Sequence, residues 1–431
     1  MRTVLTAAEL WDGGNSLPHP AIEIEDGRIA SIGSRSSAEP LDPLAGRGFR
    51  SPASILSQHG AQAVAIEGNG KTLHFPGATL APAFFDVHIH GAAGHDAMEA
   101  TPEALSAIGR FLAAHGTANY LATTVTAPVD ATLRALERLA RLIERPELVD
   151  AANASGQPVA RAVGIHLEGP FLSHARRGVQ PAEHLLAPDI ALFDWFFDAA
   201  NGHIRLMTLA PELDGAVELI RHATARGVRV SLGHSDATAA ETRAAISAGA
   251  VSATHTFNAM RALNHHEPGI LGAVLTDDSL FAELICDGIH NAPEMVKLWW
   301  RAKGPERGIL VTDAMSAAGM PEGEYRLGEL AVRVANGRAM VGDILAGSVL
   351  TLDRALENFV AFTGAPVEEA LRLATANPAA MTGMGGEVGK VAVGGPANLV
   401  AVDASGRLVA AILNGRPVEG VRQRTDDPLN P

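Results

Sequence analysis

The chain has 431 residues, 47% hydrophobic and 19% charged, which suits a folded protein with a large core rather than a disordered one. A net charge of −14 argues against nucleic acid as a partner, since a binder needs a basic surface to displace counterions, but leaves room for a small anion in a local positive pocket. Cys286 is the one cysteine, so an intrachain disulfide is ruled out and a reducing, cytoplasmic location is expected.

Residues 1–14 carry acidic and polar groups where a signal peptide needs an apolar stretch, and no uncharged apolar run reaches the ~20 residues of a membrane span. A soluble protein with no membrane partner is expected. Residues 4–10 and 21–32 read as short strands, separated by Asp12-Gly13-Gly14-Asn15, with Glu25-Asp26-Gly27-Arg28 as a hairpin turn. Residues 34–60 are rich in Ser, Pro, Gly and Arg without a period and read as a surface insertion.

From residue 79 onward, short apolar strands alternate with amphipathic helices. The first strand, 83–90, carries Asp86-Val87-His88-Ile89-His90-Gly91, and strand alternation puts Asp86, His88 and His90 on one face. Thr101-Pro102-Glu103 has the form of an N-cap with proline at the first helical position, and Gly116 closes that helix. Further strands are predicted over 119–126, 162–167, 204–209, 228–232, 252–256, 280–286 and 308–312, with helices over 130–144, 190–200, 216–226 and 237–248. Eight strands over about 300 residues predict an α/β fold, a (β/α)8 TIM-like barrel. No Gly-rich dinucleotide fingerprint follows the first strand, which disfavours a doubly wound open sheet. Residues 397–402 and 408–413 return to strand character, with Asn414-Gly415 as a tight turn. Paired with the N-terminal strands they predict a small β-sandwich domain built from both termini, with 1–78 and 384–431 in that domain and 79–383 in the barrel.

In a barrel the C-terminal ends of the strands gather at one mouth. Those ends carry His88 and His90 on the first strand, Glu168 on the third, His234 on the fifth, His255 on the sixth and Asp313 on the eighth. Two imidazoles two residues apart on a strand can chelate one cation, and a carboxylate can add a ligand or carry a proton. With 17 histidines in the chain, any single one is as well explained as a hydrogen-bonded core or surface residue. Six such groups at strand ends point to a metal site.

The segments Asp86-Val87-His88-Ile89-His90-Gly91, His166-Leu167-Glu168-Gly169-Pro170-Phe171, Gly233-His234, Thr254-His255-Thr256-Phe257-Asn258-Ala259-Met260, Asp287-Gly288-Ile289-His290 and Thr312-Asp313-Ala314 resemble the N-acetylglucosamine-6-phosphate deacetylases of the amidohydrolase superfamily. The resemblance runs from about residue 79 to 383, with Asn377-Pro378-Ala379 near its end. It implies a divalent metal, Zn2+ by expectation, held by Glu168, His234 and His255, with His88 and His90 completing a second position, hence one or two ions per subunit. The metal would acidify a water and polarise the acetamide carbonyl, and Asp313 would take a proton from that water and deliver it to the leaving amine. For substrate the resemblance points to Asn258, Ala259, His290, Val179 and the Leu345-Ala346-Gly347 loop. Plain packing explains Ala259, Val179 and Leu345 equally well, and His290 or Asn291 could cap the helix after Pro293.

Three departures stand out. His266 occupies the place of an arginine that grips the sugar phosphate in the family, and an imidazole is a weaker, pH-dependent partner than a forked guanidinium. Gln180 stands where many members have a histidine near the acetyl carbonyl; it can donate a hydrogen bond but carries no charge. Ala83 replaces a common glycine, with only a local backbone effect expected. Arg176 and Arg177 either add positive charge at the site or form a solvated loop pair.

The expected reaction is deacetylation of N-acetylglucosamine 6-phosphate to glucosamine 6-phosphate and acetate, in amino-sugar catabolism. Two alternatives stay open: a deacetylase of another N-acetylhexosamine, unphosphorylated or N-acetylgalactosamine 6-phosphate, and a catalytically silent scaffold, against which the presence of Asp313 speaks. The resemblance also implies a homodimer, since the family's phosphate pocket can be completed across a subunit interface.

Overall fold

The computed structural model describes residues 2–34, 62–65 and 70–420, so the insertion expected over 34–60 lies, beyond Ser34, outside the described residues. Eight parallel strands follow one another around a barrel: Phe84–Ile89, Thr117–Thr123, Arg161–Glu168, Ile204–Leu209, Arg229–Leu232, Ala250–Ala253, Phe281–Ile285 and Gly308–Val311. The ring closes at its C-terminal rim, where Asp313 N donates to His88 O and His90 N donates to Ala314 O, both at 2.8 Å. Buried on both faces, the strands are nearly continuous apolar runs, as Phe84, Phe85, Val87 and Ile89 show.

Local chemistry sets the helix starts. Thr101 Oγ1 accepts the N–H of Ala104, with Pro102 in the first turn of helix Pro102–Ala114. A capping box between Thr238 and Glu241 starts helix Ala239–Ala248 two residues later than periodicity suggests. The sixth strand ends at Ala253 rather than 256, because His255 and Phe257 take left-handed φ values of 30° and 81° that no strand accommodates.

Among the described residues, strands of both chain ends share one nine-stranded sheet: seven run in the order Arg416–Pro417, Leu408–Leu413, Leu399–Val402, Gly70–Pro82, Arg2–Trp11, Pro20–Glu25, Arg28–Ser34, and Ser16–Pro18 pairs with Arg2–Trp11 and Gln62–Ala65 with Gly70–Pro82. It has its own core of Leu5, Leu10, Ile22, Leu399 and Ile412. The two hairpin turns, Asp26-Gly27 and Asn414-Gly415, both have left-handed φ and pack on each other: a Cβ on Gly27 would stand 2.8 Å from Asn414 O.

The sequence reading did not anticipate a four-stranded antiparallel sheet after the eighth barrel strand, made of Gly323–Leu327, Leu330–Ala335, Arg338–Val341 and Ile344–Leu345. Its apolar side, Leu327, Val332, Val334 and Ala339, packs with Val125 and Met315 beside the barrel mouth. Its last strand delivers the chain back to the rim, where Ser348 N donates to Asp313 O at 2.7 Å.

At the other end of the eighth strand, buried Asn377 donates from Nδ2 to the carbonyls of Pro305 and Gly308, each at 2.7 Å. Asn377→Ala strands both acceptors and is expected to cost about 2–4 kcal/mol of stability, read as a lower denaturant midpoint at unchanged kcat. A midpoint equal to wild type would show the carbonyls find other partners. Among the described residues no helix is long and apolar enough to cross a membrane.

Candidate metal centre and active site

The rim residues singled out in the sequence come together. His88 and His90 leave the first strand, Glu168 ends the third, His234 and His255 follow the fifth and sixth, and Asp313 follows the eighth. All six are buried. Beyond the strand ends, His234, His255 and Asp313 adopt left-handed φ values of 46°, 30° and 49°. Each such residue costs on the order of 1–3 kcal/mol, and tolerance of that strain at three donors together marks a site held for geometry rather than stability.

One carboxylate joins two donor sets. Glu168 Oε1 lies 3.3 Å from the Nε2 atoms of His234 and His255, which are 3.1 Å from each other. Glu168 Oε2 lies 3.3 Å from His90 Nε2, and Asp313 Oδ1 is 3.2 Å from His90 Nε2 and 3.5 Å from His88 Nε2. Ligand atoms about 2.1 Å from a tetrahedral cation stand about 3.4 Å apart, so the set Glu168, His234, His255 has the spacing of a cation site. His88, His90 and Asp313 form a second set of donors within reach of one another. His88 Nε2 is buried without a hydrogen bond among the described residues, although Glu168 Oε1 is 3.3 Å away. Such an orphan in a cluster of acceptors fits a cation ligand better than a packed core residue.

The electrostatics agree. Burial opposes charge on Glu168, but His88, His234 and His255 outweigh it and hold its carboxyl well below the usual range. Burial likewise opposes ionisation of Asp313, yet His88 and His90 bring it down to about 2. Against the cost of burial, Asp313 and Glu168 push His90 up to about 9 and His88 well above its ordinary value. A centre that holds both carboxylates ionised and draws protons to His88 and His90 is built to attract positive charge, and a cation there takes the place of those protons. Beneath it, burial and then the neighbouring His88 keep His166 well below its ordinary pKa, and its Nε2 bonds Thr208 Oγ1 at 2.8 Å.

Of the remaining residues of the sequence reading, Gly347, Asn258 and Gln180 touch residues of this centre. Gly347 comes so close that a Cβ would lie 3.0 Å from Asp313 O; Leu345 is half-buried and Ala346 fully buried. Asn258 donates to the carbonyls of His255 and Thr256, Ala259 O accepts from Ser235 N, and Val179 packs with the cluster around Met315. Gln180 spends both ends of its amide on the protein: Oε1 accepts Thr126 N–H and Nε2 donates to Glu168 Oε2, each at 2.9 Å. His290 Nδ1 bonds Asp287 Oδ2 at 2.6 Å and Asn291 reaches back to Ile285 O, so neither caps helix Pro293–Arg307, whose N-cap is Ala292. His266 is exposed, its N–H held by Asn264. Arg176 and Arg261 both pair with Asp236, two residues beyond His234, at 2.8 and 3.1 Å. The sequence reading missed Glu283, a fully buried carboxylate in the seventh strand 3.2 Å from His88 Nδ1; an acid inside an otherwise apolar strand was the available signal.

A sequence profile of the Amidohydrolase family matches residues 79–423. The chain is 40% identical over 314 residues to the N-acetylgalactosamine-6-phosphate deacetylase of Escherichia coli O157:H7, covering 72% of this chain and 80% of that one. It is 35% identical over 358 residues to the N-acetylglucosamine-6-phosphate deacetylase of Lysinibacillus sphaericus, covering 83% and 82%. Among solved structures, a mutant N-acetyl-D-glucosamine-6-phosphate deacetylase from Mycobacterium smegmatis in complex with N-acetyl-D-glucosamine-6-phosphate superposes with a TM-score of 0.81 at 33% identity, covering 96% of this chain and 99% of that one. A closed ring of parallel strands, a rim of buried imidazoles and carboxylates, and relatives of this identity over most of their length lead to one conclusion: the chain belongs to the amidohydrolase family, in the branch of the N-acetylglucosamine-6-phosphate deacetylases.

Proposed function

We propose that the chain hydrolyses the acetamide of N-acetylglucosamine 6-phosphate, releasing acetate and glucosamine 6-phosphate. The observation that carries the reading is the meeting of Asp313 with two sets of cation donors at one rim, His90 Nε2 standing 3.2 Å from Asp313 Oδ1 and 3.3 Å from Glu168 Oε2. Glu168, His234 and His255 would hold a divalent cation, with His88 and His90 available for a second. When bound, such a cation supplies Lewis acidity, polarising the amide carbonyl and easing the ionisation of the attacking water. Asp313 accepts a proton from that water and passes it to the nitrogen, because an amine departs more readily when protonated. Zinc suits a donor set of imidazole and carboxylate, and the single cysteine suits the cytoplasm.

Positive charge for a phosphate is at hand in Arg176, Arg177 and Arg261, with His266 following Arg261 in the same loop segment. Asp236 neutralises part of it by binding Arg176 and Arg261 together. Asn258, Ala259, Val179, His290 and the segment 345–347 shape the rest of the pocket, and Gln180 acts there by holding Glu168. A homodimer accords with the family reading. A second substrate, N-acetylgalactosamine 6-phosphate, is favoured by the 40% identity to a deacetylase of that name. Steady-state acetate release from both 6-phosphates and both free sugars decides between them. The proposal expects kcat/KM at least about 100-fold higher for N-acetylglucosamine 6-phosphate than for the free sugar, the scale set by losing a charge-assisted contact. Equal values for phosphorylated and free sugar would defeat it.

A further inference from the structure

We propose that Glu283 is a positioning residue for the cation centre, fixing through one carboxylate oxygen the ring of His88 and the backbone of His255. The inference rests on the metal reading given above. Glu283 lies in the seventh strand, fully buried, with Oε2 3.2 Å from His88 Nδ1 and 3.2 Å from the backbone N of His255. A carboxylate can only accept, so the proton that His88 keeps when it ligates a cation sits on Nδ1, and Nε2, the atom left to ligate, faces Glu168 and Asp313. A carboxylate behind a ligating imidazole sets its tautomer, fixes its rotation and raises its basicity.

The same oxygen acts on the neighbouring donor. His255 has a left-handed φ of 30°, a conformation that non-glycine residues leave unless held. Its N–H is tied to Glu283 Oε2, and its carbonyl accepts Asn258 N–H at 3.0 Å, so both peptide groups of the strained residue are anchored. Thr256 N, one residue on, donates to Glu283 O at 2.8 Å. Glu283 Oε1, by contrast, has no hydrogen bond among the described residues. A half-satisfied buried carboxylate is a costly way to hold a core together, and an apolar residue of that size would pack there at less cost. Its retention makes sense as a negative charge behind a ligand to a cation.

Glu283→Gln and Glu283→Leu in the full chain test the assignment. Protein stripped with a chelator is titrated with Zn2+ against a chromophoric competitor, its Co2+ form is examined by visible absorption, and circular dichroism verifies the fold. Glutamine keeps the shape and an oxygen able to accept both N–H groups but removes the charge. It is expected to weaken Zn2+ binding about 10–100-fold and to shift the Co2+ spectrum at unchanged KM. Leucine is expected to weaken binding further; should that variant unfold, the glutamine variant decides. Folded variants that bind Zn2+ with wild-type affinity and give the wild-type Co2+ spectrum overturn the assignment. Wild-type protein that binds no Zn2+ overturns the metal reading itself, a separate result.

Discussion

Asp313→Asn is expected to lower kcat by about 10²–10⁴-fold, equivalent to about 3–5 kcal/mol of barrier, with KM little changed. The asparagine amide matches the carboxylate in shape and can still accept a hydrogen bond from His90, but it cannot take up a proton. Asparagine is also the right probe for the backbone, since Asp313 has a φ of 49° and asparagine visits that left-handed region more readily than other side chains do. The Glu168, His234, His255 set is untouched, so one cation per chain is expected to remain after dialysis. The set of His88, His90 and Asp313 loses its anionic member and is expected to bind more weakly. Substrate turnover, metal content by emission spectroscopy and a thermal melt check the three parts. Turnover near that of the parent protein would remove Asp313 from the mechanism.

The barrel was legible because burial on both faces writes strands as short apolar runs, and because turns and caps bracket them. Its rim was legible because ionisable groups rarely follow such runs without cause. What escaped depended on groups far apart in the chain. The sheet formed by 323–345 carries its own signal, a period of two in Leu330–Ala335 followed by the turn Asn336-Gly337, but it interrupts the strand-helix alternation that organised the reading. Gln180 was visible as a substitution within a motif; that its amide would bridge Thr126 and Glu168 depends on how two loops approach. Ends of strands were displaced wherever the site takes left-handed backbone, as at His255, because donor geometry there overrides local preference. Capping of the helix after Pro293 was one of two readings for His290 and Asn291, yet Asp287 holds the ring of His290 and the carbonyl of Ile285 claims the side chain of Asn291.

Glu168→Gln is expected to abolish both cation binding and turnover while leaving the fold in place. Among the described residues, Glu168 is the one that stands within 3.3 Å of all four imidazoles: Oε1 faces His88, His234 and His255, and Oε2 faces His90. Neutralising it leaves His234 and His255 with no anion in their donor set and takes a neighbouring negative charge from the set of His88, His90 and Asp313, so both sets lose the attraction that holds a cation. Glutamine preserves the volume and can still accept from Gln180 Nε2. In the parent protein, metal at 100–1,000 times its dissociation constant adds about 3–4 kcal/mol to stability, so a chelator is expected to lower the melting temperature. The glutamine variant is expected to melt at the same temperature with and without the chelator, since it has no ion to lose. A variant that still responds to the chelator and still releases acetate would mean that the cation sits elsewhere, and the reading of this rim as the catalytic centre would fall with it.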